Sequence, residues 1–151
     1  MSDLAVLGWR EWLALPEFGI DYIKAKIDTG ARTSALHAFY LEPFTRDDKP
    51  WIRFGIHPRQ RSTDEVVHCE APVLDQRNVT DSGGHKEQRY VIKTPVRLGE
   101  RLVDIEMTLT DRENMRFRML LGRTAMRGHC VVDPQRSYVV RPKPPKARSP
   151  A

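Results

Sequence analysis

The chain has 151 residues, 40% hydrophobic and 30% charged, enough for one domain with its own core and too few for two of full size. No run approaches the roughly 18 apolar residues of a membrane-crossing helix, and Asp3, Arg10 and Glu11 interrupt the first fifteen residues, unlike a secretory leader, so a cytoplasmic protein with no membrane partner is expected. The formal charge of +5 sits at one end: Arg141, Lys143, Lys146 and Arg148 share an acid-free stretch with Pro142, Pro144, Pro145 and Pro150, and setting them aside leaves 21 basic against 20 acidic residues.

Residues 1–140 thus read as one nearly neutral folded domain and 141–151 as a basic, proline-rich disordered tail. A nearly neutral core gives nucleic acid no electrostatic footprint, so it is not an expected partner. Two cysteines, Cys69 and Cys130, are expected as free thiols in a reducing compartment.

In chain order, Tyr22 to Ile27 alternates polar and apolar side chains, the mark of a half-buried strand, and stops at Asp28-Thr29-Gly30. Further strand-like runs cover Trp51 to Ile56, Glu65 to Cys69, Tyr90 to Lys93, Val96 to Leu98, Leu102 to Leu109, Phe117 to Leu121, Cys130 to Val132 and Tyr138 to Val140. Short strands separated by Gly, Pro, Asp and Asn predict an all-β barrel or sandwich. Gly99-Glu100 and Asp111 to Asn114 read as turns. Asp81-Ser82-Gly83-Gly84 reads as a polar hairpin tip. One short helix is expected over Arg123 to Arg127, ending at Gly128.

Asp28 follows an apolar strand and precedes a small hydroxyl residue and a glycine. The strand would fix the carboxylate on a rigid element, Thr29 would hydrogen-bond nearby backbone, and Gly30 would allow close backbone approach. The tripeptide alone is also ordinary turn chemistry. A second motif, Met119-Leu120-Leu121-Gly122-Arg123, ends another apolar run far downstream, with the glycine-rich tip between the two.

In this order of motifs, over roughly Tyr22 to Asp133, the sequence resembles the retropepsins, single-lobed aspartic proteases. Gly8-Trp9-Arg10-Glu11-Trp12 and the string from Lys24 through Asp28-Thr29-Gly30-Ala31-Arg32 to Ala38 resemble more closely a bacterial family named as ATP-dependent zinc proteases, RimB-like in some genomes. The resemblance implies a single-lobe closed β-barrel with one short C-terminal helix. It also implies an endopeptidase with Asp28, Thr29 and Gly30 as catalytic residues. Ser82, Gly83 and Gly84 would form a flap over substrate together with Ala31 and Arg32, and Gly122 and Arg123 would be structural. Members of that family often sit beside ATP-grasp ligases that add glutamate, which implies a functional link to such a ligase.

Aspartic catalysis needs two neighbouring carboxylates that share one proton, and no cofactor or metal. Asp81-Ser82-Gly83 is a poor internal source for the second, because no apolar strand precedes it and this length allows one domain. The expected source is Asp28 of another copy, in a homodimer acting on a peptide or protein. Arg32 stands where retroviral members have an acid; it would attract an acidic or glutamate-modified substrate, with Lys24 or Lys26, or else pair with a local carboxylate. His37, His57, His68, Cys69, His85, His129 and Cys130 include no His-Glu-x-x-His or Cys-x-x-Cys spacing, so zinc chemistry is the weaker alternative. A non-catalytic accessory protein of a ligase is the other.

Overall fold

The computed structural model describes residues 4–59, 64–80, 83–111 and 117–142. Its strands are β1 (Ala5–Leu7), β2 (Arg10–Leu15), β3 (Ile20–Asp28), β4 (Ser34–His37), β5 (Tyr40–Arg46), β6 (Lys49–Ile56), β7 (Val67–Pro72), β8 (Asp75–Thr80), β9 (Lys86–Leu98), β10 (Arg101–Thr110), β11 (Met119–Gly122) and β12 (Cys130–Val132). A 3-10 turn, Pro16–Phe18, joins β2 to β3, and α1 (Arg123–Met126) is a single helical turn. No helix among the described residues is long and apolar enough to cross a membrane.

The main sheet runs β10-β4-β11-β3-β2-β9-β8, and β9 also pairs with β10, so six strands close into a ring with β8 hanging outside it. Closure is uneven. β9 and β10 share a ladder from Arg101↔Leu98 to Thr108↔Val91, whereas β2 and β9 meet only at Ala14↔Arg97. The all-β single-lobe expectation is met, but the ring is closed by a single pair at this seam and is not a regular barrel. Antiparallel β5, β6 and β7 form a second sheet, and β1 pairs in parallel with β12.

Alternation explains how these strands pack. Along β3, Ile23, Ala25 and Ile27 are buried, and they share one core with Leu13, Leu36, Met107, Met119 and Leu121 of the ring. The second sheet adds Ile52, Phe54, Ile56, Cys69 and Ala71 to that core. Full burial of a side chain such as Ile, Leu or Phe contributes about 1.5–3 kcal/mol.

Several expected boundaries shift. Tyr90–Lys93 and Val96–Leu98 belong to one strand, β9, that runs through Pro95. Its pairing with β8 ends at Val91, so around Pro95 mainly β10 flanks β9, and a strand with an open side tolerates a missing N–H. β7 starts later than expected, at Val67. Tyr138 to Val140 is not a strand: the Val139 and Val140 N–H groups donate to the Glu11 carboxylate instead of to a neighbouring strand. The turn at Gly99 adopts φ 64°, and α1 is followed by Gly128 at φ 81°, both conformations that suit glycine. The predicted turn from Asp111 to Asn114 lies beyond Asp111 outside the described residues. Arg141, the first residue of the expected tail, packs its guanidinium 3.7 Å from the centre of the Tyr22 ring and donates to the Asp21 carbonyl.

Candidate active site at the Asp28 loop

β11 is wedged between β3 and β4. It runs parallel to β3, with Leu121 beside Ile27 and Gly122 beside Asp28, and antiparallel to β4, with Met119 beside Leu36. The loop from Asp28 to Ser34 must therefore cross the end of β11 to reach β4. Its carbonyls take the first N–H groups of α1: Arg123 N–H donates to Ala31 O at 2.8 Å and Thr124 N–H to Arg32 O at 3.1 Å. Those donors have no partner within a helix, so loop and helix complete each other.

Two residues of the downstream motif explain themselves here. A Cβ on Gly122 would lie 2.6 Å from the Thr33 carbonyl carbon, so only glycine fits beneath the crossing loop. Arg123 Nη1 donates to Gly30 O at 3.2 Å and Thr29 O at 3.4 Å. Ser34 Oγ accepts the Gly122 N–H at 3.0 Å and is fully buried; sequence reading passed over it, although a small hydroxyl residue soon after the motif was its signal.

Asp28 is half-buried at the end of β3. Its Oδ1 accepts the Gly30 N–H at 2.9 Å and the Ala31 N–H at 3.2 Å, which aims the carboxylate along the loop. A Cβ on Gly30 would stand 3.2 Å from that oxygen. Thr29 and Gly30 are exposed.

A cleft of about 600 Å³ adjoins the loop. Gly30, Ala31, Arg32 and Thr33 line one side, Arg77 to Thr80 of β8 and Arg89 of β9 another, with Glu106, Thr108 and Thr124 between. The β8–β9 hairpin thus stands across the cleft from the Asp28 loop. Of its expected tip residues, Gly83 and Gly84 are exposed, with Gly84 at φ 83°, and Ser82 lies outside the described residues, as does Asp81.

The charges in the cleft differ in their freedom. Arg77 pairs with Asp75 at 3.0 Å and Glu106 at 2.6 Å; these hydrogen bonds hold both carboxyls below the ordinary carboxylate range. Arg89 pairs with Glu87 at 3.0 Å. Arg32 is exposed and joins no ion pair among the described residues. Lys24 lies away from the cleft, over the Trp12 and Tyr138 rings. Arg77, Arg89, Glu106 and Thr108 went unnoticed in the sequence, because charged and hydroxyl residues alternating along strands read as a solvated face.

A shallower groove of about 410 Å³ runs from Thr29 past Arg123, Met126 and Arg127 to Cys130, Val131 and Val132. Cys69 and Cys130 are free thiols. Burial pushes the Cys69 thiol up to about 12 and raises that of Cys130, so neither is poised as a nucleophile. No three His, Cys, Asp or Glu side chains converge as a metal-holding group among the described residues.

Residues 6–144 match the family model described as "Retropepsin-like aspartic endopeptidase RimB". The chain belongs to this RimB-like family. Curated relatives of this RimB-like chain carry a ligase name and not a zinc-protease one. It is 45% identical over 139 residues to a "Probable alpha-L-glutamate ligase" of Shewanella pealeana, covering 91% of this chain and 30% of that protein. A protein of the same name from Parasynechococcus marenigrum is 48% identical over 138 residues, again 91% and 30%. The RimB-like chain therefore spans about 30% of the length of these relatives. It shares its fold with Lpg0085 of Legionella pneumophila, a crystal structure of unknown function, at a TM-score of 0.77 and 24% identity, covering 92% of this chain and 100% of that one.

Proposed function

We propose that this RimB-like chain is an aspartic endopeptidase, active as a homodimer in which each copy supplies one Asp28. The observation that carries the reading is the Asp28 carboxylate at the end of β3, held by two loop N–H groups beside a cleft with the β8–β9 hairpin on its far side. Two such groups at short range share one proton. The ionised carboxylate takes a proton from water as the water oxygen bonds to the scissile carbonyl carbon. The protonated one gives its proton to the carbonyl oxygen. Collapse of the tetrahedral adduct, with protonation of the amide nitrogen, breaks the C–N bond and releases an acid and an amine.

The β1–β12 ribbon supports the dimer. Val6 and Val131 lie side by side on it, 37% and 46% exposed, near Leu4 at 46%, and the groove along β12 leads to Thr29. Because β12 already pairs with β1 of its own chain, a second copy would meet the ribbon's outer face or free edge. Arg32 at the cleft, in no ion pair among the described residues, supports acidic substrates, the glutamate-modified kind included, through charge-assisted hydrogen bonds. Thr29 and Gly30 would hold Asp28, while Ala31, Arg32 and the hairpin tip from Ser82 to Gly84 contact substrate and exclude water.

The test combines sedimentation with hydrolysis of a glutamate-rich peptide by the wild type and Asp28→Asn. A dimer that cleaves and a variant that dimerises without cleaving support the proposal; an active monomer, or undiminished cleavage by the variant, overturns it. Activity that survives chelation and dies with Asp28→Asn separates it from zinc chemistry. A second reading is a non-catalytic accessory of a glutamate ligase, favoured by the name of the curated relatives. Under that reading Asp28→Ala leaves binding to the ligase intact and there is no hydrolysis to lose.

A further inference from the structure

The β9–β10 ladder ends at Val91↔Thr108. Beyond that pair β9 belongs to the hairpin with β8, while β10 runs on to Thr110 beside β4. The two strands part here, and side chains bridge the gap. Thr110 Oγ1 lies 3.1 and 3.2 Å from the two Glu87 carboxylate oxygens and donates to them. Arg89 Nε donates to Glu87 Oε2 at 3.0 Å and Arg89 Nη1 to Thr108 Oγ1 at 3.5 Å.

The bridge continues toward Asp28. Thr108 Oγ1 donates to the Ser34 carbonyl at 3.1 Å, and Ser34 Oγ accepts the N–H of Gly122, the residue in register with Asp28. A hydroxyl has one proton and two lone pairs, so Thr108 can accept from the hairpin while it gives to the loop. Ser34, Thr108 and Thr110 are 0%, 1% and 2% exposed. The Arg89 and Glu87 side chains, at 11% and 24%, form the most sheltered ion pair among the described residues. Charged side chains on a hairpin's outer half ordinarily face water; Glu87 and Arg89, paired in register with Val79 and Arg77, turn inward onto two buried hydroxyls, where a low dielectric strengthens each bond.

We propose that Thr108 is a positioning residue that links the seating of the β8–β9 hairpin to the alignment of the Asp28 loop, with Glu87 and Arg89 as the hairpin's end of the link. When the hairpin lifts, Arg89 leaves Thr108 and Glu87 leaves Thr110, and the loop loses part of its bracing. When it seats over substrate, the bracing returns. Only the kinetic consequence rests on the peptidase reading.

Thr108→Val removes the proton and lone pairs at nearly constant shape, and Thr108→Ser retains them. Hydrogen exchange is measured on the hairpin strand β9, on the segment through Gly122, and on β5–β6 as a control, beside kcat and KM on a glutamate-rich peptide. The valine variant is expected to exchange about tenfold faster in the first two regions and not in the third, and to lose about tenfold in kcat with KM within about twofold. Serine restores both. Faster exchange on one side only, acceleration in all three regions alike, or failure of serine to rescue overturns the link. If the wild type cleaves nothing, the peptidase reading fails, and the exchange measurements still decide the link.

Discussion

Glu11 and Val139, 128 residues apart in sequence, are joined by a 2.9 Å hydrogen bond from the Val139 N–H to Glu11 Oε2. The same carboxylate accepts the Gly8 N–H at 2.6 Å and, through Oε1, the Val140 N–H at 3.1 Å, and it is wholly buried. One side chain thus fastens the segment after β12 across the start of the chain. That segment holds more than itself: the Arg136 carbonyl accepts the Trp9 N–H, and the Trp9 carbonyl accepts the N–H of Ile27, next to Asp28.

Glu11→Ala leaves three N–H groups without their acceptor and is expected to cost at least about 3 kcal/mol. Glu11→Gln keeps an acceptor oxygen and costs less. Chemical denaturation at matched m-values checks the order, and a Glu11→Ala midpoint equal to that of the wild type would contradict it.

Gly122→Ala places a methyl group against the Thr33 carbonyl. Because the contact is backbone, the loop must move, and hydrolysis is expected to fall by about a hundredfold, the scale of a misplacement near 1 Å. Stability should fall by only about 1–3 kcal/mol, as for other overpacked sites. Peptide hydrolysis and thermal melts on the same preparation make the comparison.

Arg32→Ala is expected to reduce kcat/KM on acidic peptides by about tenfold, the worth of one charge-assisted contact, and to leave neutral peptides nearly unchanged. Equal loss on both would remove the selectivity assigned to Arg32.

Arg77 hydrogen bonds lower the Glu106 carboxyl from its ordinary value. A depressed folded value means stabilisation that is present above the unfolded value and lost as pH falls through the folded one. Glu106 is 42% exposed, so the effect on stability is small and the titration is the better probe. Carboxyl chemical shifts should show Glu106 titrating below a model glutamate in the wild type and returning upward in Arg77→Met. An unchanged titration would break the assigned cause.

How much of this was legible follows from what each segment packs against. β3 sits half-buried, so its alternation is written in the sequence and leads straight to Asp28; α1 shows in the glycines that bracket it. β8, Asp-Gln-Arg-Asn-Val-Thr, has no buried residue and therefore no apolar rhythm to read. Tyr138-Val139-Val140 has strand-like side chains, yet their partner is a carboxylate, which propensity does not encode. The cleft charges were hidden for a related reason: Arg77 and Glu106 are 29 residues apart and meet only once the hairpin folds across the ring.

The wedge of β11 between β3 and β4 also sets an order of assembly. A ribosome releases Asp28 long before Met119 to Gly122, and until those residues arrive the loop has nothing to arch over. Nascent chains therefore carry the acid without its scaffold, and the long sequence gap makes this insertion a slow, late step of folding. A half-made molecule therefore lacks the arched Asp28 loop, and the carboxylate gains its setting only when β11 slots in between its two neighbours.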